Sequence, residues 1–209
     1  VPSCVQMHGY DQIQYLNFRF PIPANPPHVP YKNPCWHYRK EFTLDKKQGE
    51  KYYLNFEGVD SAFYLYVNGV QKGYSQISHA TSEFDITDLV KNGENRIDVL
   101  VLKWCASTYL EIQDKFRFSG IFRDVYILKR PEKHIWDYKI ETSVIGTDGV
   151  ITFKNESEVK IEVSTAFEKK VVQPGKKAEF TVKNAEKWTA EIPALYTLTL
   201  SSQGEIIKE

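Results

Sequence analysis

Two short stretches carry carboxylates beside large aromatic side chains. One is Glu57-Gly58-Val59-Asp60-Ser61-Ala62-Phe63. The other runs from Trp104 to Phe118 and holds Trp104, Tyr109, Glu111, Asp114, Phe116 and Phe118. A sugar presents apolar C–H faces and a rim of hydroxyls, so a sugar site wants an aromatic platform with acids or amides as hydrogen-bond acceptors. Acids at strand ends are also common as plain solvated turn residues. Residue type and spacing leave both readings open at this point.

Other chemistries lack their parts. There is no G-x-S-x-G elbow, no H-x-x-x-H pair, no C-x-x-C pair and no glycine-rich phosphate loop. His8, His28, His37, His79 and His134 lie in unrelated contexts, each a polar surface or core residue by this reading. Cys4, Cys35 and Cys105 are widely spaced and read as packed free thiols, which assign no compartment. Lys plus Arg and Asp plus Glu both total 27, so no excess positive charge draws the chain to nucleic acid. Basic residues form no cluster for a membrane surface, and no apolar run is long enough to span a bilayer.

The elements that must position these acids are strands. Val159, Ile161 and Val163 alternate with polar residues, as do Ala178, Phe180 and Val182, and Tyr196, Leu198 and Leu200. Each is a half-buried strand. Residues 62–67 (AFYLYV) and 97–102 (IDVLVL) are apolar on both faces and suit central strands. Asn68-Gly69, Asp148-Gly149 and Pro174-Gly175 mark turns. One helical turn is expected over 85–92, closed by Gly93. The run KFRFSGIFRDVYIL from Lys115 reads as one strand fed by the loop YLEIQD. The proline-rich stretch 21–30 reads as an extended surface cover, with Phe18, Phe20 and Val29 to pack it down. Many short strands with frequent turns predict an all-β chain of two sandwiches, 1–131 and 132–209, divided near Pro131.

Several long motifs in one order then make the reading specific. VPSCVQMHGYD, FPIPANPPHVPYKNP, GVDSAFYLYVNG, TYLEIQDKFRFSGIFRDV and KWTAEIPALYTLTL follow one another along the chain. Together they resemble the amino-terminal half of family 2 glycoside hydrolases, most of all the large lac-type β-galactosidases. The resemblance implies a jelly-roll sugar-binding domain over 1–131 and an immunoglobulin-like β-sandwich over 132–209. It implies a (β/α)8 barrel elsewhere in the parent chain, holding the acid/base and nucleophilic glutamates of a retaining mechanism. The 209 residues are thus expected to be a fragment that begins after the first jelly-roll strand, lacks both catalytic residues and is inactive alone.

By the same resemblance, Asp114 is the acid that contacts galactosyl hydroxyls and a sodium ion. Asp60 stands where the family has a substrate-touching Asn; a carboxylate there accepts hydrogen bonds but lacks the amide N–H. Ile112 stands where the pattern YLEDQD has Asp, and Phe116 replaces a Trp, which thins the acid cluster. Glu111 has the weaker claim on a ligand, Arg123 and Asp124 read as a scaffold pair, and Trp104 and Tyr109 read as packing. The implied partners are a β-galactoside, the barrel of the same chain and like copies in a homo-oligomer. Magnesium is implied for the parent enzyme, and no cofactor is expected on the fragment by itself. The rival readings are a freestanding carbohydrate-binding module, an assembly role without sugar contact, and the first domains of a β-glucuronidase or β-mannosidase. The cell compartment, cytoplasm or bacterial periplasm, is left open.

Overall fold

The computed structural model describes residues 1–15, 21–111 and 114–209. Phe18, Phe20 and Ile112 lie outside them. The chain divides into two compact units, Val1–Lys129 and Arg130–Glu209.

The first unit is built from β1 (Gln14–Tyr15), β2 (Cys35–Leu44), β3 (Glu50–Phe56), β4 (Val59–Asp60), β5 (Ala62–Val67), β6 (Val70–Ser75), β7 (Ser82–Asp85), β8 (Gly93–Leu102), α1 (Thr108–Glu111), β9 (Phe116–Arg117), β10 (Gly120–Ile121) and β11 (Val125–Pro131). Among the described residues, one sheet runs β2-β8-β5-β6 and a second runs β11-β3-β7. Tyr52, Leu54 and Phe56 from one sheet meet Phe63, Leu65, Val67, Val99 and Val101 from the other in one core. Burying that apolar area is what holds the sheets together.

β5 and β8 are the central strands, as their apolar character predicts. Their inward residues are buried, whereas Tyr64, Tyr66, Leu100 and Leu102 on the other face stay half-exposed within this unit. That face also carries Asp98, fixed by Arg39 and His37 at 2.7 Å each and by Arg96 at 2.8 Å. The β5–β6 hairpin turns at Asn68-Gly69 as its sequence predicts, with Asn68 at φ 51°. A hydrogen-bonded turn forms at Ile86–Val90, but Gly93 opens β8 instead of capping a helix.

The run from Lys115 is not one strand. It breaks into β9, β10 and β11, which pair with β1, β4 and β3 in turn. Gly120 makes the break possible: its φ is 114°, and a Cβ there would meet the Tyr38 hydroxyl at 2.7 Å. The proline-rich stretch 21–30 is irregular and mostly exposed, with Ile22 as its buried anchor. The cysteines are free; Cys105 is buried, but Cys35 is exposed and so is not a packed thiol.

The second unit holds β12 (Tyr138–Ile145), β13 (Asp148–Asn155), β14 (Ile161–Ser164), β15 (Lys169–Val172), β16 (Lys177–Val182), β17 (Thr199–Ser202) and β18 (Glu205–Lys208). They form sheets β12-β13-β16 and β15-β14-β17-β18 among the described residues, with Phe153, Phe180, Ile161, Val163 and Leu200 fully buried between them. The β12–β13 turn falls at Gly146-Thr147, earlier than the expected Asp148-Gly149. Gly146 takes the positive φ of 63°, while Asp148 accepts hydrogen bonds from Lys183 Nζ and the Asn184 N–H. Pro174-Gly175 does turn the chain, but from one sheet to the other and not within a hairpin.

Candidate functional site

Asp114 lies two residues before β9. β1 pairs antiparallel with β9, setting Gln14 opposite Arg117 and Tyr15 opposite Phe116. This register brings the Tyr15 hydroxyl to Asp114, where it donates to Oδ1. The bond and the negative charge it faces hold the Tyr15 phenol above its usual pKa. The Tyr15 and Phe116 rings lie 5.3 Å apart and are both about half exposed. An exposed carboxylate beside two accessible rings is the acceptor-plus-platform arrangement that a sugar requires.

Asp60 ends β4, which pairs with β10 so that Asp60 stands opposite Gly120. The next residue is pinned, since Ser61 donates its hydroxyl to the Lys103 carbonyl at 2.9 Å and its N–H to the Leu102 carbonyl at 3.2 Å. The Asp60 side chain is only 18% exposed, and Lys115 Nζ lies 3.8 Å from its Oδ2. Burial raises its pKa to about 6; Lys115 and Arg117 oppose that rise and Glu111 adds to it. Behind Asp60, with Lys103, Thr108, Glu111, Arg117 and Ser119, is a cavity of about 10 Å³. It is too small for any sugar, so a ligand can meet Asp60 only from the outer side.

Glu111 is partly buried, and both of its carboxylate oxygens are engaged by Ser78. At the end of α1, its Oε1 accepts the Ser78 N–H at 3.0 Å and its Oε2 accepts the Ser78 hydroxyl at 2.6 Å. Arg117 Nη1 donates to its backbone carbonyl at 3.0 Å. The acid thus staples α1 to the stretch between β6 and β7.

The motif residues at the amino end support the same place. Gln6 Nε2 donates to Asp11 Oδ2 at 3.0 Å and to Ser119 Oγ at 2.9 Å, while its Oε1 accepts the Ser119 N–H at 3.0 Å. Asp11 also accepts from Lys103, which is buried. Burial works against the Asp11 carboxylate, but hydrogen bonds from Lys103 and the Gln12 N–H hold its pKa below the usual value. Trp104 is buried and exchanges two hydrogen bonds with the Asn33 side chain, at 2.7 and 2.9 Å. Tyr109 reaches the proline-rich stretch: its hydroxyl lies 2.8 Å from the Pro23 carbonyl and 2.6 Å from that of His28, and it accepts the Asn25 N–H at 3.3 Å. Packing and tethering are thus the roles of Trp104 and Tyr109.

Arg123 and Asp124 serve the scaffold through backbone groups. Arg123 Nη1 donates to the carbonyls of His79 and Glu57 at 3.3 and 3.4 Å, and the Asp124 carbonyl accepts the Glu57 N–H at 3.0 Å. The Glu57 side chain faces the Tyr126 hydroxyl. Sequence reasoning missed Tyr15, Lys115 and His79. His79 stacks at a tilt on Phe122 at 5.3 Å; burial first, then Lys115, lowers its pKa. Tyr15 follows closely on the opening motif, in QMHGYDQIQY, but nothing local links it to Asp114.

The description "Glycosyl hydrolases family 2, sugar binding domain" matches residues 1–131, and "Glycosyl hydrolases family 2" matches residues 127–209. The whole chain is 48% identical to a β-galactosidase of Staphylococcus xylosus, of which it covers 22%. It is 42% identical to a β-galactosidase of Actinobacillus pleuropneumoniae, over 99% of the chain and 21% of that protein. The chain therefore spans about a fifth of the length of the curated relatives it matches. Among solved structures, a Ruminococcus gnavus β-glucuronidase superposes with a TM-score of 0.69 at 21% identity, over 84% of this chain and 34% of that one. At that identity the likeness speaks to the fold alone.

Proposed function

Because the chain belongs to glycosyl hydrolases family 2, we propose that it is the non-catalytic amino-terminal part of a retaining β-galactosidase. The bond-breaking carboxylates are assigned to a (β/α)8 barrel of the same polypeptide, outside these residues. What carries this reading is the 48% identity over the full chain to the Staphylococcus xylosus β-galactosidase.

Within it, Asp114 accepts hydrogen bonds from galactosyl hydroxyls. Tyr15 fixes the carboxylate through Oδ1, and the Tyr15 and Phe116 rings offer surface to a sugar C–H face. Asp60 is assigned a second contact on the outer side. Below a pH of about 6 its carboxyl keeps a proton and can donate, as the amide N–H of an Asn would.

A carboxylate oxygen is a hard donor that suits sodium, and Asp114 is the residue that would hold it. Among the described residues no group of three or more His, Cys, Asp or Glu side chains gathers to complete a cage. A sodium ion would supply positive charge to anchor sugar hydroxyls. Magnesium is assigned to the complete enzyme. A β-galactoside substrate and assembly with like copies complete the proposal; light scattering on the complete protein checks the latter.

The test is hydrolysis of nitrophenyl glycosides by the complete protein and by the 209-residue chain. The complete protein is expected to turn over the β-galactoside far faster than the β-glucuronide or β-mannoside, and the short chain to turn over none. Turnover by the short chain, or preference for another glycoside, would overturn the reading.

A further inference from the structure

Lys115 sits between the two candidate acids. It follows Asp114 in sequence and reaches Asp60 in space. The residues around β9 alternate as a strand does. Lys115 is half-buried and Arg117 is buried on one face, whereas Asp114 and Phe116 are exposed on the other. The outward pair faces Tyr15, through the hydroxyl bond to Asp114 and the ring contact to Phe116. The inward pair turns the other way: Lys115 Nζ lies 3.8 Å from Asp60 Oδ2, and Arg117 Nη1 donates to the Glu111 backbone carbonyl at 3.0 Å.

Asp60 is held by the pairing of β4 with β10 and by the hydrogen bonds of Ser61 to Leu102 and Lys103. Lys115 lies between Asp114 and Phe116, the β9 residue that pairs with Tyr15. An ion pair to a fixed, 18% exposed carboxylate is screened less than a surface pair. It therefore sets where the lysine backbone lies, and through it the adjoining Asp114.

We propose that Lys115 is a positioning residue for Asp114, anchored on Asp60, so that Asp60 serves the site from beneath as well as from its outer side. This rests on the reading of Asp114 as a sugar contact. Neither residue can be neutralised alone without loss: an amide at position 60 leaves the ammonium without its countercharge, and an apolar residue at 115 leaves a buried carboxylate without its nearest cation.

The experiment compares Lys115→Met, Asp60→Asn, the double variant and Lys115→Arg. In the complete protein, Lys115→Met is expected to raise both the galactoside KM and the half-saturating sodium concentration about fivefold. Its thermal midpoint should fall, since Asp60 then lacks its nearest cation, so the kinetics are read well below it. Lys115→Arg, which keeps the charge, should recover most of the loss, and the double variant should be no worse than its worse parent. In the 209-residue chain, hydrogen exchange at the amides of residues 114–117 should quicken in Lys115→Met and in Asp60→Asn alike. Additive losses, or unaltered exchange in both single variants, would overturn the proposal. Faster exchange with unaltered galactoside kinetics would overturn the sugar-site reading of Asp114, and the positioning role with it, while leaving the ion pair intact.

Discussion

The Tyr15 hydroxyl donates a hydrogen bond to Asp114 Oδ1, joining side chains 99 residues apart in sequence. The pairing of β1 with β9 makes this bond, since Tyr15 stands opposite Phe116. The phenol–carboxylate bond adds to the ladder and orients the acid. Tyr15→Phe in the complete protein should cut kcat/KM for a nitrophenyl β-galactoside about three- to tenfold, less than loss of the carboxylate itself. Steady-state kinetics at saturating sodium measures it.

Glu111 gives a stability prediction. Its carboxylate takes both donors of Ser78, which is fully buried. Glu111→Ala leaves the Ser78 N–H and hydroxyl without that acceptor and should destabilise the first unit by about 2 kcal/mol. Urea unfolding of the 209-residue chain reads it. A midpoint equal to the wild type would mean the staple contributes nothing.

Asp60 gives a pH prediction. Its carboxyl titrates at about 6 in the folded chain against an ordinary value of 3.8, because burial outweighs the attraction of Lys115 and Arg117 and Glu111 adds repulsion. Between these values the folded state binds more protons than the unfolded one. Its contribution therefore falls as pH rises from about 4 to about 6, by about 3 kcal/mol in all. Asp11 and Asp98, held below their usual values against their own burial by Lys103 and by Arg39 and His37, slope the opposite way. The wild type must therefore be compared with Asp60→Asn at each pH. The variant should gain on the wild type as pH rises; a constant difference across the range would contradict the buried carboxylate.

Much of the fold could be read from local sequence patterns, whereas the candidate site was legible only through the family resemblance. Alternation at Val159–Val163 and Ala178–Val182, and the Asn68-Gly69 turn, are local patterns that the backbone obeys directly. The turn at Gly146 shows the limit. Two glycines lie three residues apart, and distant residues choose between them: Lys183 and Asn184 engage Asp148, and Ala185 crowds Gly149 so closely that a Cβ there would lie 3.0 Å away. The strand expected from Lys115 onward is broken at Gly120, where Tyr38, far away in sequence, occupies the space that a Cβ would need. At the site, spacing alone could not separate Glu111 from Asp114. The difference lies in Ser78 and Tyr15, partners supplied by other strands and turns.

Tyr109 offers a test of the proline-rich cover. Its hydroxyl has one proton for two nearby carbonyls, Pro23 and His28, and accepts from Asn25. Tyr109→Phe removes all three contacts but keeps the ring. Overall stability should change by no more than about 1 kcal/mol. Limited proteolysis within residues 21–33 should become several-fold faster, and unchanged cleavage would place the tether elsewhere.

The central claim is that Asp114 takes hold of a galactoside and of sodium in an active site whose catalytic carboxylates lie in another domain. Asp114→Asn keeps the shape and removes the charge. Measured in the complete protein across a sodium titration, kcat/KM for nitrophenyl β-galactoside should fall on the order of a hundredfold, and its response to sodium should shrink or vanish. An unchanged kcat/KM with an unchanged sodium response would contradict the account.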